Sequence, residues 1–156
     1  MSKTSTYLNF ARNTEEAFRF YSTVFGNECT GIMRFRDNPA QTGAPQIAEA
    51  DLNLLIRIEL EILGGHLLRG TDAPESMGFS LTQGNNVHIN LEPDNLEEGQ
   101  KLFDALSAGG KVGMPLAPMF WDGAFGMFTD KFGTQWMVNC SNTWRKMNLE
   151  VAQLLI

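Results

Sequence analysis

Histidine is the side chain best suited to proton transfer or metal binding near neutral pH, and this sequence contains only two. His88 lies in the segment NVHINLE, residues 86–92, which alternates apolar and polar residues as a half-buried strand does. The alternation predicts an apolar set packed against helices: Val87, Ile89 and Leu91. His88 and Asn90 would then face the other way. On that face His88 could be a metal ligand, a catalytic base or a polar residue that lines a cleft.

A second strand, TQWMVNC at residues 134–140, would supply further polar groups to the same face. Trp136 and Val138 are predicted to point towards helices, which leaves the alternate residues on the side of His88. The predicted lining of a small-molecule site is His88, Asn90, Gln135, Met137 and Asn139, with Trp121 as an aromatic wall. Apolar walls with a few convergent polar groups are typical of such sites. The alternative is that these groups satisfy one another, and that Phe120 and Trp121 pack in the core or at a module interface.

Composition and charge restrict the class of protein. The chain has 156 residues, which is enough for one compact domain or two small modules. A net charge of −6 argues against binding to nucleic acid or to an anionic membrane surface. No apolar stretch reaches the roughly 18 residues that span a bilayer, and the N-terminus lacks a secretory apolar region. We therefore expect a cytoplasmic protein with no nucleic-acid or membrane partner, in which Cys29 and Cys140 are reduced.

The predicted elements repeat the order β-α-β-β-β twice, and a final helix follows. The strands are predicted at 5–11, 28–36, 52–65, 66–72, 86–92, 111–123, 124–130 and 134–140, and the helices at 12–26, 95–110 and 142–156. Gly64-Gly65 and residues 130–133 are predicted turns. EEAFRFYSTV and EEGQKLFDAL begin 82 residues apart, an offset that places Thr6 on His88. Module one would cover about 5–72 and module two about 86–141 of a single domain, 1–141.

Three strings carry a resemblance to a known family: YLNFARNTEEAFRFYSTVFG, LEEGQKLFDALSAGGKVGMPL and MFWDGAFGMFTDKFGTQWMVN. They resemble the PhnB-like branch of the vicinal oxygen chelate superfamily, which includes glyoxalase I, extradiol dioxygenases, and bleomycin and fosfomycin resistance proteins. The resemblance implies an α+β fold of two tandem βαβββ modules that form paired curved sheets, and a homodimer. The C-terminal helix, 142–156, falls outside it. Its amphipathic stripe is expected to cover a sheet face or a partner chain.

The resemblance also implies a divalent metal held by His, Gln or Glu side chains on the first and last strands of each module. In this sequence the four implied positions fall at Thr6, near Leu68, at His88 and at Met137. Only His88 is a good ligand, so we expect no metal of the usual kind. His66 and His88 are the fallback metal ligands.

These observations favour a protein that binds a small molecule in the cup of its sheets without the usual metal, as bleomycin resistance proteins do. The alternative is a metal-dependent isomerase, lyase or dioxygenase of the same superfamily. Relatives in the PhnB-like branch are often labelled methyltransferases. This sequence lacks the glycine-rich strand-to-helix loop that a nucleotide-type methyl donor would need, since Gly64-Gly65 lies in a hairpin and Gly109-Gly110 follows a helix.

Overall fold

The computed structural model describes residues 1–38 and 46–141. The chain divides into two compact units, Met1–Gln83 and Gly84–Ile156, and each unit contains one of the two predicted modules. The predicted helix over 142–156 lies outside the described residues, as do residues 39–45 between the second and third predicted strands. None of the helices in the described part of the chain is long and apolar enough to cross a membrane.

Within the described ranges, each unit contributes one α-helix and one four-stranded mixed sheet. The first unit contains β1 (Thr6–Phe10), α1 (Thr14–Phe25), β2 (Thr30–Arg34), β3 (Leu55–Glu61) and β4 (Leu67–Asp72). The second unit contains β5 (Ile89–Leu91), α2 (Leu96–Ser107), β6 (Lys111–Met119), β7 (Gly123–Thr129) and β8 (Gln135–Ser141). The strand orders are β1-β4-β3-β2 and β5-β8-β7-β6, with β1-β4 and β5-β8 parallel. The predicted α+β class and the repeated βαβββ order are confirmed.

Helix α1 packs closely on β4 of the first sheet. Its buried stripe is Thr14, Ala17, Phe18 and Tyr21. Gly70 of β4 lies directly beneath, because a Cβ atom there would approach Thr14 Cγ2 to 2.7 Å and would overlap the ring of Phe18. The face of β4 that carries Leu68, Gly70 and Asp72 therefore points towards α1.

A distant carboxylate caps the N-terminus of α1. The side chain of Asn13, the residue at the N-cap position, makes no capping hydrogen bond. Instead Asp72 Oδ1 accepts hydrogen bonds from the Thr14 backbone N–H (3.1 Å) and hydroxyl (2.7 Å). Asp72 Oδ2 accepts a third from the Leu55 N–H at 2.8 Å. This buried side chain thus joins the helix, β3 and β4, and we call the arrangement the Asp72 clamp.

The strand β3 departs from the alternation that the sequence suggests. Leu55 and Ile58 are both buried although they lie three residues apart, so the phase changes between them and Ile56 is only half-buried. Two constraints account for this: the Leu55 N–H is held in the Asp72 clamp, and the β2–β3 pairing shifts its register near Met33. The predicted turn at Gly64-Gly65 is confirmed, with both glycines at positive φ.

Helix α2 and the β7–β8 turn follow from local sequence. Asn95 accepts a hydrogen bond from the Glu98 N–H at 2.8 Å, which is a side-chain N-cap. In the predicted turn at 130–133, Asp130 Oδ1 accepts from the N–H groups of Phe132 and Thr134. Asp130 Oδ2 accepts from the indole N–H of Trp136 at 2.9 Å, so the turn also anchors the largest fully buried side chain.

An ion-pair cluster on α1 should make folding sensitive to acid. Hydrogen bonds from Arg34 and then Arg19 lower the pKa of Glu15 from 4.5 to about 2. Because the folded pKa lies below the unfolded one, this stabilisation is complete above about pH 4.5 and is lost as the pH falls through about 2. Glu15→Gln should lower the free energy of unfolding at neutral pH by less than about 1 kcal/mol. It should also flatten the acid dependence in urea melts.

The control for this prediction is Glu97→Gln, which removes an exposed ion pair with Lys101 on α2. That variant should retain the acid dependence of the unmodified protein. An acid dependence that is equally steep in Glu15→Gln would show that the cluster contributes nothing to acid unfolding.

Candidate functional site

The second sheet has one face against α2 and one face away from it. A Cβ atom on Gly99 of α2 would lie 3.4 Å from Val138 Cγ1 and would overlap Cys140 Sγ, so both β8 side chains point towards α2. Trp136, two residues before Val138, is fully buried on the same side. The half-buried alternate residues of β8 therefore lie on the opposite face, which we call the α2-distal face. Those residues include the predicted site residues Gln135, Met137 and Asn139.

Strand β5 adds Asn90 to the α2-distal face. Asn90 is paired with Met137, whereas the buried Leu91 is paired with Val138 on the helix side. The Asn90 amide Nδ2 donates to Glu92 Oε1 at 3.2 Å. These positions agree with the predicted alternation for this half of the segment.

The predicted packing of Val87 is wrong. β5 is only three residues long, and its pairing with β8 begins at Ile89. Val87 lies beyond the paired region and is 71% exposed. His88 lies immediately before the strand and is half-buried. His88 therefore directly precedes the paired residues of β5 in the sequence, but no strand pairing fixes the direction of its side chain.

The polar groups of the α2-distal face differ in how well their hydrogen bonds are satisfied. Gln135 Nε2 donates to the Gly84 carbonyl oxygen at 2.8 Å, so the backbone of Gly84 fixes the Gln135 side chain. Asn139 lies four residues further along β8, about 13 Å away at 3.3 Å per residue. Its Oδ1 is shielded from solvent and has no hydrogen-bond partner among residues 1–38 and 46–141. Such an acceptor is rare in folded proteins and requires an explanation.

Trp121 lies over one end of the same face. Gly126 of β7 faces Phe103 of α2, so Gly123, three residues earlier, faces the α2-distal side. A Cβ atom on Gly123 would lie 3.2 Å from the Trp121 indole nitrogen. Phe120 contacts Trp121 edge to face at 4.8 Å and is 96% exposed. The alternative that these two aromatic residues pack in the core is therefore wrong.

A cavity of about 400 Å³ lies in the first unit, which contributes no residue to the lining predicted from the sequence. Its lining includes Asn9, Phe35, Ile56, Thr71, Phe79 and Leu81, with Asp72, Ala73 and Ser80. Thr71 lies between Gly70 and Asp72, which point towards α1, so the cavity is on the face of the first sheet away from the helix. Phe79 and Leu81 come from the segment 73–85, in which no helix or strand was predicted. The available signal in the sequence was that this segment carries two large apolar residues.

The two cysteines are not suited to nucleophilic chemistry. Cys29 and Cys140 are both free. Burial raises the pKa of each thiol above its usual value, so both stay protonated at neutral pH. Thiolate chemistry therefore plays no part in the candidate site.

Residues 6–138 match the model of the glyoxalase/bleomycin resistance protein/dioxygenase superfamily. The chain belongs to this superfamily. It is similar to Protein YjdN of Escherichia coli (strain K12), with 31% identity over 144 residues that cover 86% of this chain and 92% of YjdN.

Two solved structures show the same superfamily fold. Protein PA1353 from Pseudomonas aeruginosa is 33% identical, with a TM-score of 0.78 over 90% of this chain and 98% of PA1353. The PhnB protein from Bacillus cereus is 23% identical, with a TM-score of 0.70 over 90% of this chain and all of that protein. The resemblance to PhnB-like proteins is thus confirmed.

The internal repeat of this superfamily member is not uniform. The helices match at the predicted offset, since Leu96 follows Thr14 by 82 residues and both helices have 12 residues. The buried last residues of β1 and β5, Phe10 and Leu91, are 81 residues apart, one fewer than the helices. The difference arises because the connection from β5 to α2 is one residue longer than the connection from β1 to α1. Matching these buried strand ends aligns His88 with Tyr7, and not with Thr6 as the uniform offset suggested.

The residues present do not fit the metal site that the superfamily resemblance implied. Leu68 is fully buried on the face that points towards α1. Thr6 Oγ1 lies 2.8 Å from His66 Nε2, so the hydroxyl and the fallback ligand contact each other. Met137 offers only a thioether. In the described part of the chain, no three His, Cys, Asp or Glu side chains form a group that could hold a metal ion.

Proposed function

We propose that this superfamily member binds a small organic molecule on the α2-distal face without the divalent metal typical of its relatives. The lining is that predicted from the sequence: His88, Asn90, Gln135, Met137, Asn139 and Trp121. The observation that carries the proposal is Asn139 Oδ1, a shielded acceptor without a donor among the described residues. Leaving such an atom unpaired costs about 1–3 kcal/mol, a cost that a ligand N–H or O–H would offset.

The neighbouring residues suit an organic ligand. Met137 lies between Asn90 and Met127 in the sheet and offers an adaptable apolar surface. Trp121 supplies an aromatic wall at the Asn139 end of β8, because Gly123 is paired with Ser141. The imidazole nitrogens of His88 can donate or accept a hydrogen bond from a ligand. We further propose that the protein is a cytoplasmic homodimer, the dimer being what the superfamily resemblance implies. The net charge of −6 supports the proposal that it binds neither nucleic acid nor anionic membranes.

Asn139→Leu tests the proposal, because leucine has nearly the same shape and lacks the acceptor. Without ligand, the variant should be as stable as the unmodified protein, or more stable by up to about 1 kcal/mol. In a thermal-shift screen of small organic molecules, compounds that raise the Tm of the unmodified protein should lose about tenfold in affinity for the variant. A clear loss of stability in Asn139→Leu would instead show that the amide has a structural partner.

Metal content separates this proposal from the alternative function. Elemental analysis of dialysed protein should find well under one equivalent of nickel, zinc or iron. A stoichiometric metal would replace the proposal with a metal-dependent isomerase, lyase or dioxygenase. His66 and His88 would then be examined first as ligands.

A further inference from the structure

One end of the second unit carries a mostly apolar cavity that the proposed function does not use. Its volume is about 240 Å³, and its lining includes Leu96, Pro118, Met119, Ala124 and Cys140. We propose that residues 142–156 of the same chain cover this cavity and place the indole of Trp144 in it. This docking assigns the amphipathic C-terminal segment to its own sheet rather than to a partner chain.

The cavity lies on the α2 side of the second sheet. Cys140 points towards α2, and Ala124 is its partner in the β7–β8 pairing, so the two side chains lie on the same side. Leu96, the first residue of α2, lines the cavity from the helix. The cavity and the α2-distal face are therefore on opposite sides of one sheet, and the docking is independent of the proposed function.

The volume of the cavity suits one aromatic side chain better than a free ligand. Small-molecule sites usually measure roughly 300–1,000 Å³, which is more than this cavity offers. An apolar cavity of about 150 Å³ holds benzene, and an indole is larger by one fused five-membered ring. Leu96 is 52% exposed at the cavity, so an indole placed there would also remove apolar surface from water.

The last described residue of the chain lies at the edge of the cavity. Ser141 is paired with Gly123 and follows Cys140, and both of those neighbours line the cavity. Two residues separate Ser141 from Trp144, so the backbone of Trp144 lies no more than about 10 Å from Ser141. A tether this short gives an effective concentration in the millimolar range, which favours the chain's own segment over that of a second copy.

Charge favours the same occupant. The described part of the second unit contains seven Asp or Glu residues and three Lys residues. Asp122 lines the cavity, and Glu98 lies in the first turn of α2, two residues after the leucine in the lining. Trp144 is followed directly by Arg145 and Lys146. Docking of the indole would therefore bring two cations to an acidic rim, where opposite charges attract weakly.

Thiol reactivity at the cavity wall tests the docking on the full chain. In the Cys29→Ser variant, Cys140 is the one remaining cysteine, and iodoacetamide is a small neutral reagent that can enter an open cavity. Trp144→Ala in this background should raise the alkylation rate of Cys140 by about tenfold, because the thiol reacts only when it is uncovered. Gln153→Ala changes the opposite side of the predicted helix and should leave the rate unchanged. Mass spectrometry would follow both reactions.

Protein concentration separates the chain's own segment from that of a second copy. Protection of Cys140 should be the same over about a hundredfold range of concentration, because an intramolecular contact does not depend on it. Protection that increases with concentration would place the segment of a second copy on the cavity and would overturn the proposal. An alkylation rate that Trp144→Ala leaves unchanged would overturn it as well.

The other cysteine reports on the rest of the chain. In the Cys140→Ser variant, Cys29 of the first unit is the one remaining cysteine. Trp144→Ala should leave the alkylation rate of Cys29 unchanged. An equal increase at both cysteines would show that Trp144 stabilises the whole chain rather than covering this cavity, and the proposal would fail. Neither result would affect ligand binding by Asn139.

Discussion

Replacing Asp72 with alanine should lower the free energy of unfolding by about 4 kcal/mol. The change removes three hydrogen bonds to a buried carboxylate, two from Thr14 and one from Leu55. Hydrogen bonds to charged groups contribute about 1.5–3 kcal/mol each, and the donors left behind are themselves buried. The substitution also removes the cap of α1 and the tie between β3 and β4. Urea unfolding followed by circular dichroism would measure the loss.

Asp104→Ala is the matched control for the Asp72 clamp. Asp104 lies on the exposed side of α2 and accepts one hydrogen bond from Gln100 at 2.9 Å. Its replacement should change the free energy of unfolding by no more than about 0.5 kcal/mol. Asp72→Asn keeps one acceptor oxygen, so its loss of unfolding free energy should lie between those of Asp72→Ala and Asp104→Ala. Equal losses in Asp72→Ala and Asp104→Ala would mean that the clamp does not stabilise the protein in solution.

Leu91→Ala should cost about 3 kcal/mol, whereas His88→Ala should cost about 1 kcal/mol or less. Leu91 is 2% exposed on the side of α2, and truncating such a residue leaves a cavity, with typical losses of about 2–5 kcal/mol. His88 is half-buried outside the paired part of β5, where less packing is lost. The sequence alone placed Ile89 in the apolar set packed against helices. Ile89 is only half-buried in the structure, so we now expect Leu91 to exceed it.

Val87→Ala serves as the control in these urea melts, because the side chain is 71% exposed and should contribute close to nothing. A His88→Ala variant that is less stable than Leu91→Ala would identify the histidine as a core residue. The proposed lining around Asn90 and Asn139 would then lose its histidine.

The parts of the fold that depend on local pattern could be predicted from sequence. Alternation in β8 correctly assigned Trp136 and Val138 to the helix side, because the period of a strand is two. The matching EEAFRFYSTV and EEGQKLFDAL segments located both helices at the right offset. The turn at 130–133 was predicted from its short polar and glycine-containing sequence and is confirmed.

The parts that depend on long-range contacts could not be predicted. The cap of α1 comes from Asp72, 58 residues after Thr14, while a local candidate, Asn13, was available. The extra residue between β5 and α2 changes the strand alignment without disturbing either helix pattern. Phe35 and Phe79 both line the cavity in the first unit. The alternation of apolar and polar residues along the sequence does not predict that these two side chains line the same cavity. These features arise when separate segments pack together, so local sequence carries little signal for them.

Every strand pairing that the structure describes lies within one unit, so both sheets are built from uninterrupted stretches of chain. The segment between β4 and β5 contributes no paired strand. Insertions or deletions in this linker would therefore break none of the described sheet hydrogen bonds, so the linker can change in length at little expense to either sheet.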